Sequence, residues 1–402
     1  MVDATAPSEN NVLLRQAADT ANVATAAVLP VSSETLSAYG KFTSIYAPAQ
    51  SPEWVSTWID TNKLDTVLAT LSANGRPVMS VALEVTSEGP FRIARFLGGK
   101  HANGNFPAVD KNWLAAASAN DIDTLVRSIG QARPDIDLVT FDRLIADFNG
   151  LPNPLLRLPS SPSPNVALAV NLDGGFEKVL TRTNGKKKRK RHRSQERKYE
   201  AVGGARRTMA TTIADANAML DAFFAMKEQR FGAMGITDVF ADAGVRSFFR
   251  KLFVDALAHE KPSFVLHGLE VGGKYRAVTG ASRAGNRLVC EFGAIADDEL
   301  AYASPGEYLF FDNISEACDD GFGVYDFSVG DEPYKRQWCD LEIQHADVLV
   351  PLTAKGRFYA LGLKSMSRIK GSVKNNATLW ALIKRLRSGV RGKPTAATAE
   401  DD

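Results

Sequence analysis

Three consecutive apolar stretches in the second half of the chain constrain its fold most strongly. They cover residues 262–270, 274–283 and 287–295, and only the turns at Gly272-Gly273 and Gly285-Asn286 separate them. Turns this short cannot return a parallel strand, so the three stretches predict an antiparallel meander. Antiparallel pairing of this kind excludes a sheet built only of parallel strands in this part of the chain.

The first half repeats this kind of pattern. Asn74-Gly75, the strongest short hairpin signal, joins strand-like residues 64–73 and 76–85. A helix is predicted over 51–60, further strands over 91–99 and 136–141, and helical structure over 111–130. Several prolines in 151–165 disfavour both helix and central strand there, so we expect a connector and a domain boundary.

The residues after the meander continue as an alternation of helix and strand. The helix over 303–322 is predicted to begin at Ser304 as N-cap, with Pro305 in its first position and Glu307 as capping-box partner. A strand (324–330), a short helix (332–338) and a last strand (343–352) follow. The sequence therefore predicts an α+β chain, with mixed and mostly antiparallel sheets flanked by helices.

Positive charge is concentrated in two segments. Residues 186–198 hold nine Lys/Arg and one Glu, and residues 364–393 hold nine Lys/Arg and no acid. Because these two segments carry +8 and +9 and the whole chain has a net charge of +2, the other residues together carry about −15. Such segments attract the phosphates of a cofactor, of a nucleic acid or of an anionic membrane, unless each is only a solvated helix face.

Several classes of protein are disfavoured. No apolar run reaches the ~18 residues of a membrane span, and the first residues lack the features of a secretory signal. We therefore expect a cytoplasmic protein without a transmembrane segment. Three cysteines without CxxC spacing and five histidines make a disulfide framework or a structural zinc site improbable, so no metal is expected.

Residues 292–338 resemble the acetyltransferase domain of the CelD family, whose members are related to the FemAB peptidyltransferases and have a GCN5-related N-acetyltransferase (GNAT) fold. The resemblance lies in Ser304-Pro305-Gly306, Asp326-Phe327, Gly330-Asp331-Glu332 and Tyr334-Lys335 before Trp338. The basic helix before Tyr199 also resembles the opening segment of the family. The usual GNAT phosphate loop, Arg/Gln-x-x-Gly-x-Gly/Ala, is missing.

The resemblance implies a tandem of two GNAT-like units and a division of the chain into five parts. A loose N-terminal segment (1–45) is followed by a non-catalytic GNAT-like unit (46–150) and the connector (151–165). The acyltransferase domain (166–352) and a basic helical C-terminal segment with its tail (353–402) complete the chain. No internal repeat is recognisable in the sequence itself.

The resemblance also implies a site for acetyl-CoA or another acyl-CoA. Free amides at a helix start favour a pyrophosphate, and Gly306 allows its close approach, so Ser304, Pro305 and Gly306 are the expected cofactor-binding residues. Acyl transfer needs a base, oxyanion donors and an acid for the leaving thiolate. Tyr334 is the expected acid, Glu291 or His267 the base; each has the alternative of a purely structural role.

Other residues are expected to bind substrate. Lys335, which is also a candidate catalytic residue, and Asp331 either orient the acceptor or form an ion pair. His267 is also a candidate for binding substrate, and Lys188 and Arg189 are candidates for holding phosphates. The acceptor suggested by the family is a small molecule or a glycan precursor, such as a sugar or amino sugar of a cell-surface polysaccharide.

Two other functions remain open. One is a FemAB-like transferase that uses aminoacyl-tRNA, although the basic run lacks the interleaved aromatics typical of nucleic-acid binding. The other is a GNAT-like scaffold without catalysis. The basic C-terminal helices are also suited to peripheral contact with an anionic membrane.

Overall fold

The computed structural model describes residues 24–39, 41–42 and 45–375. Its strands are β1 (Thr25–Leu29), β2 (Thr66–Ala73), β3 (Arg76–Glu88), β4 (Phe91–Phe96), β5 (Ala108–Val109), β6 (Leu138–Leu144), β7 (Asp147–Phe148), β8 (Leu151–Pro152), β9 (Ser160–Asn171), β10 (Ala205–Met209), β11 (Phe264–Val271), β12 (Lys274–Ala284), β13 (Arg287–Ile295), β14 (Val324–Val329) and β15 (Leu341–Pro351).

The α-helices are α1 (Ser33–Ala38), α2 (Pro52–Asn62), α3 (Lys111–Leu114), α4 (Ala119–Ala132), α5 (Gly175–Arg182), α6 (Gly185–Glu200), α7 (Ile213–Met234), α8 (Ala243–Ala256), α9 (Pro305–Asp319), α10 (Pro333–Arg336) and α11 (Ala354–Asn375). The predicted helices and strands of both halves are present, with shifted ends. The region 111–130, predicted as helical, contains the short α3 and the longer α4.

One continuous sheet runs through both halves in the order β1-β2-β3-β4-β6-β15-β9-β14-β13-β12-β11-β10. Its strands are antiparallel except for two parallel pairs, β4 with β6 and β13 with β14. The order is symmetric about the central pair β15-β9, with a meander and then a parallel strand on each side. The two units implied by the family resemblance are thus visible as a repeat of topology.

Each unit gives its last strand to the other. β9 follows the first unit in sequence but pairs with β14 of the second, and β15 follows the second unit but pairs with β6 of the first. β9 and β15 also pair with each other. Neither half of the sheet is therefore complete without strand residues from the other half of the sequence.

The units also share an aromatic core. The ring of Trp54 on α2 lies 4.8 Å from that of Phe248 on α8, and Trp58 lies 4.7 Å from the same ring. Trp54 is 1% exposed and also packs against Phe249 and Phe264. Burial of aromatic surface between α2 and α8 joins the two units on one face of the sheet.

The prolines of residues 151–165 predicted that no central strand forms there. This prediction is wrong for residues 160–165, because β9 begins at Ser160 and includes Pro162 and Pro164. Residues 160–166 of β9 pair only with β15, and pairing with β14 begins at Ala167. Proline is tolerated where one side of a strand is unpaired. The sequence pattern does not reveal that free edge.

Three other expectations need correction. The N-terminal segment is not loose throughout, since β1 pairs with β2 and α1 has a capping box at Ser32. The sequence predicts a single basic helix from Gly174 onward, but two helices are present, α5 and α6, and between them Asn184 adopts a left-handed conformation (φ 60°). Ser304 precedes α9 but is also left-handed and makes no side-chain cap, so the capping box with Glu307 does not form.

The predicted apolar stripe of the C-terminal helix, Leu379 to Leu386, lies outside the described residues. Among those that are described, no helix combines the length and apolar character needed to cross a membrane.

Candidate active site

The parallel strands β13 and β14 separate within the second unit. They pair at Arg287–Val289 and Val324–Asp326 and at no later position. Just beyond the last pair, Glu291 is an extra residue in β13, since Gly280 and Ala281 of β12 lie opposite Phe292 and Cys290. The bulge and the separation of the two strands together leave an opening between β13 and β14 at Glu291.

Glu291 occupies an unusual environment for a carboxyl group. The residue is only partly exposed, and Ser282 Oγ donates a hydrogen bond of 2.5 Å to its Oε1. Burial raises the pKa of Glu291 to about 8, an effect that nearby Asp326 increases and the Ser282 hydrogen bond opposes. A carboxyl group with this pKa can accept a proton near neutral pH.

The raised pKa of Glu291 predicts a pH-dependent stability. The folded protein holds this proton between about pH 4.5 and 8 and the unfolded chain does not, so the wild-type protein loses stability as pH rises through that range. Glu291→Gln, which mimics the protonated form, should match the wild type at pH 5 and exceed its free energy of unfolding at pH 8 by on the order of 2 kcal/mol. Urea unfolding at both pH values measures this.

Glu316→Gln is the control of opposite sign. Burial would raise the pKa of Glu316, but hydrogen bonds from His267 and Arg207 lower it to about 2. A lowered pKa stabilises the folded state above pH 4.5 and loses this effect as pH falls toward 2. Glu316→Gln should therefore destabilise the protein at pH 7 and 8. If both substitutions changed the free energy of unfolding in the same direction at pH 8, the raised pKa described for Glu291 would be contradicted.

Tyr334, at the start of α10, lies on the α9 face of the sheet. Its ring stacks on that of Phe310 at 5.7 Å and approaches that of Phe327 at 6.1 Å. Phe327 follows Asp326 on β14, where the strands separate. Tyr334 is 37% exposed and lies next to the opening.

The start of α9 is covered by side chains of α6. Arg191 donates to Ser304 Oγ at 3.0 Å and pairs with Glu307 Oε2 at 2.7 Å. Ile295 also approaches Gly306, whose added Cβ would lie 2.6 Å from the Ile295 Cγ2 atom. The expected cradle at Ser304, Pro305 and Gly306 is thus narrow and has a guanidinium at its rim.

Two residues of the same helix hold the preceding turn in place. Gln195 Nε2 donates to the carbonyl oxygens of Ala303 and Ser304, and the hydroxyl of Tyr199 donates to that of Ala303. Gln195 and Tyr199 are buried. These contacts fix α6 against the start of α9.

The basic helix α6 presents two kinds of cation. Lys188 is buried, with Nζ 3.9 Å from the centre of the Trp338 ring, and burial lowers its pKa to about 8 although Glu307 opposes this. Arg189 pairs with Glu177. Five cations of α6 are exposed, and four of them share one face at helical spacing: Lys186, Lys190, Arg193 and Arg197.

The remaining candidates make structural contacts. Lys335 is buried, pairs with Glu332 Oε2 at 2.8 Å and donates to the carbonyl oxygen of Val329 at 2.9 Å, so it fixes the start of α10. Asp331 pairs with Arg336.

His267 and Glu291 do not come together. His267 Nε2 lies 3.1 Å from Glu316 Oε2 on α9, and burial lowers the pKa of His267 while Glu316 raises it. Glu291 bonds Ser282, which lines a cavity on the face toward the first unit. Because the two side chains lie on opposite faces of the sheet, only one can serve as base at a given site.

Three polar residues near the strand separation, Arg287, Ser328 and His345, were not predicted as site residues from the sequence. Arg287 Nη1 pairs with Asp326 Oδ2 at 2.8 Å, Ser328 donates its backbone N–H to Asp326 Oδ1, and His345 on β15 lies close by. In the sequence, Asp326 is recognisable only as part of the Asp326-Phe327 motif, without an assigned role. No spacing marks His345, because β15 reaches this site through the strand exchange.

Residues 186–336 match the family model for an acetyltransferase (GNAT) domain. Two solved structures are similar across most of the chain. FemX has 11% identity and a TM-score of 0.54, covering 83% of this chain and 99% of its own. The C-terminal domain of a protein described as a lysylphosphatidylglycerol synthetase from Agrobacterium fabrum has 11% identity and a TM-score of 0.50, covering 85% and 96%. No curated protein matches in sequence.

The second half of the chain is thus a GNAT domain, with the fold of the acyltransferases of that superfamily. The chain as a whole has a fold similar to that of FemX. Within the described residues there is no group of three or more His, Cys, Asp or Glu that could hold a metal ion.

Proposed function

We propose that the protein transfers an acyl group from a coenzyme A thioester to an amine or hydroxyl group. The observation that carries this proposal is the separation of β13 and β14, with Glu291 on one face and Tyr334 on the other. A thioester placed in the opening would have a proton acceptor on the side of the first unit and a proton donor on the α9 side.

The roles follow from the chemistry of thioester aminolysis or alcoholysis. Glu291 takes the proton of the attacking amine or hydroxyl, and the tetrahedral intermediate then expels the thiolate, which Tyr334 protonates. The backbone of β13 beyond Val289 has no pairing to β14, so its N–H groups are available to the developing oxyanion. CoA serves as a co-substrate here and supplies the activated acyl group.

The phosphates of the donor are assigned to the start of α9. The Arg191 guanidinium and the N–H groups of the first helical turn are both suited to a diphosphate. Substrate-binding roles for Lys188 and Arg189 are not supported by their contacts to Trp338 and Glu177.

Calorimetric titration with acetyl-CoA tests the donor assignment. We expect micromolar binding to the wild type and its loss in Gly306→Trp, since the indole would fill the narrow start of α9. Gly232→Trp is the matched control, because a Cβ at Gly232 meets no atom within 4 Å. Absence of heat with the wild type, or equal binding by both variants, would contradict the proposal.

The acceptor proposed from the CelD resemblance is a sugar or amino sugar of a cell-surface polysaccharide precursor. Release of the CoA thiol in the presence of amino sugars and amino acids identifies it. Tyr334→Phe should reduce that release, since its phenol is the proposed acid; unchanged turnover would mean that another group protonates the thiolate.

The exposed basic stripe on α6 favours a second candidate, transfer from aminoacyl-tRNA. Four cations on one face of a helix fit the spacing of a phosphate backbone, and FemX and the lysylphosphatidylglycerol synthetase domain share the fold. Three results together would favour this candidate over the first. The protein would bind tRNA with an affinity that falls steeply as salt is added, the double variant Lys190→Gln/Arg193→Gln would lose this binding, and the wild type would not bind acetyl-CoA. Binding of anionic partners without turnover would favour the scaffold.

A further inference from the structure

The helix α11 packs on the first unit by one of its faces. Tyr359 stacks on Phe91 of β4, with ring centres 4.3 Å apart. Lys355 Nζ pairs with Asp137 Oδ2 at 3.2 Å. Gly356 lies directly against the backbone of Asp137, since an added Cβ would come within 1.8 Å of the Asp137 carbonyl oxygen. These contacts fix which side of the helix faces away from the sheet.

The outward face of α11 carries two large apolar side chains. Phe358 is 74% exposed, the highest value for a large apolar residue in the described part of the chain, and Leu361 is 65% exposed. Residues three apart on a helix are neighbours on its surface, so the two side chains form one apolar patch. Single exposed apolar residues are ordinary on protein surfaces, and the surroundings of this pair therefore decide what it contacts.

Positive charge surrounds the apolar pair. Arg357 and Lys364 are both exposed and lie one helical turn before and after Leu361. The sequence of α11 contains six Lys/Arg and no Asp or Glu, and residues 364–393 also contain no acid. Cations beside apolar side chains on an outward helix face match the surface of an anionic bilayer. There the apolar groups enter the boundary between headgroups and acyl chains, and the cations meet the lipid phosphates.

A nucleic acid matches this face less well. Its phosphates would use the cations and its bases would stack on aromatic rings, but neither gives a role to exposed Leu361. The helix α6 shows the contrast, because it presents four cations on one face and exposes no large apolar side chain. Burial of Phe358 and Leu361 together requires an apolar medium, which a bilayer provides.

We propose that α11 docks the protein on an anionic lipid bilayer. Phe358 and Leu361 enter the headgroup region, Arg357 and Lys364 contact lipid phosphates, and the helix axis lies in the plane of the membrane surface. The contact is reversible, because two apolar side chains and a few cations supply far less free energy than a membrane-spanning helix. It does not depend on the proposed acyl transfer, so a failure of acetyl-CoA binding leaves it standing.

Flotation of the full chain with lipid vesicles tests the contact. We expect binding to vesicles of equal parts phosphatidylglycerol and phosphatidylcholine, no binding to phosphatidylcholine alone, and weaker binding as salt is added. Phe358→Ala should raise the lipid concentration needed for half-maximal binding by about tenfold, since most of the apolar surface of that side chain is removed. The double variant Arg357→Gln/Lys364→Gln should raise it by at least about tenfold.

Ile213→Ala is the matched control. Ile213 is 59% exposed and lies at the start of α7, outside both basic segments, so this variant should bind the vesicles as the wild type does. Equal binding by Phe358→Ala and the wild type would show that the cations of residues 364–393 attract the protein without insertion of α11, which overturns the proposal. Retention of tRNA by a wild type that binds no vesicles would assign the cations to nucleic acid and also overturn it.

Two further measurements exclude other causes of weak binding by Phe358→Ala. Its unfolding midpoint should equal that of the wild type, because the exposed ring contributes little to the core. Its mass in sedimentation velocity should also be unchanged. Conversion of a wild-type dimer into a monomer by Phe358→Ala would show that a second copy of the chain covers this face, and the membrane proposal would then be wrong.

Discussion

Substituting Gln for Glu291 should lower the rate of acyl transfer by about 10²- to 10⁴-fold, the usual contribution of a general base. The amide is nearly the same size as the carboxyl group and can still accept the hydrogen bond from Ser282. It cannot accept a proton from the attacking group. The loss should therefore appear in the turnover rate, with the affinity for acetyl-CoA unchanged in calorimetry.

The pH profile provides a second signature of the same role. A base acts only when unprotonated, so with a pKa of about 8 the wild-type rate should rise about tenfold per pH unit below pH 8 and level off above it. The residual rate of Glu291→Gln should lack this rise. Glu270→Gln on β11 is the control and should change the rate by less than about twofold, since Glu270 pairs with exposed Arg206.

The outcome can contradict the assignment in a definite way. A Glu291→Gln enzyme that keeps the wild-type rate and its pH dependence would show that another group accepts the proton. His345 would be the next candidate, because it lies beside Asp326, near the point where β13 and β14 separate.

Truncating Trp54 to Ala should cost about 3 to 5 kcal/mol of the free energy of unfolding. Trp54 is 1% exposed and fills the space between α2 and α8 against Phe248, Phe249 and Phe264. Removing it leaves a cavity at the contact between the two units. Phe358→Ala is the control, and since Phe358 is 74% exposed its effect should stay within about 0.5 kcal/mol.

The same unfolding experiment tests whether the units are independent. The exchange of β9 and β15 makes each half of the sheet depend on the other. We therefore expect one transition for the wild type and one, at lower denaturant, for Trp54→Ala, when far-UV circular dichroism and Trp fluorescence are compared. Two separated transitions would mean that the units fold separately despite the shared strands.

The sequence predicted the local elements of this fold well. Asn74-Gly75 and the turns at 272–273 and 285–286 specified three of the antiparallel pairs, because turn chemistry acts within a few residues. The prolines of β9 misled the prediction, since their tolerance depends on an unpaired edge that only the assembled sheet creates. Left-handed Ser304 likewise removed a capping box that the residue types favoured.

The candidate site likewise combines features that the sequence indicates with features that only the assembled sheet creates. Glu291 and Tyr334 are recognisable by residue type and motif, whereas their arrangement on opposite faces of the opening depends on how β13 and β14 separate. Lys335, Arg189 and His267 look equally reactive in sequence, but the fold places each beside an acidic side chain, Glu332, Glu177 and Glu316 in turn. The raised pKa of Glu291 also arises from burial, which residue order alone does not specify.

The sequence by itself determined which segments become helices and strands and where the tight turns fall, because these depend on neighbours in the chain. Only the tertiary structure decided that β9 and β15 are exchanged, that α2 packs on α8 and that His345 lies beside Asp326. These contacts join residues far apart in sequence, and their free energy comes from burial and pairing that exist only once the whole sheet has formed.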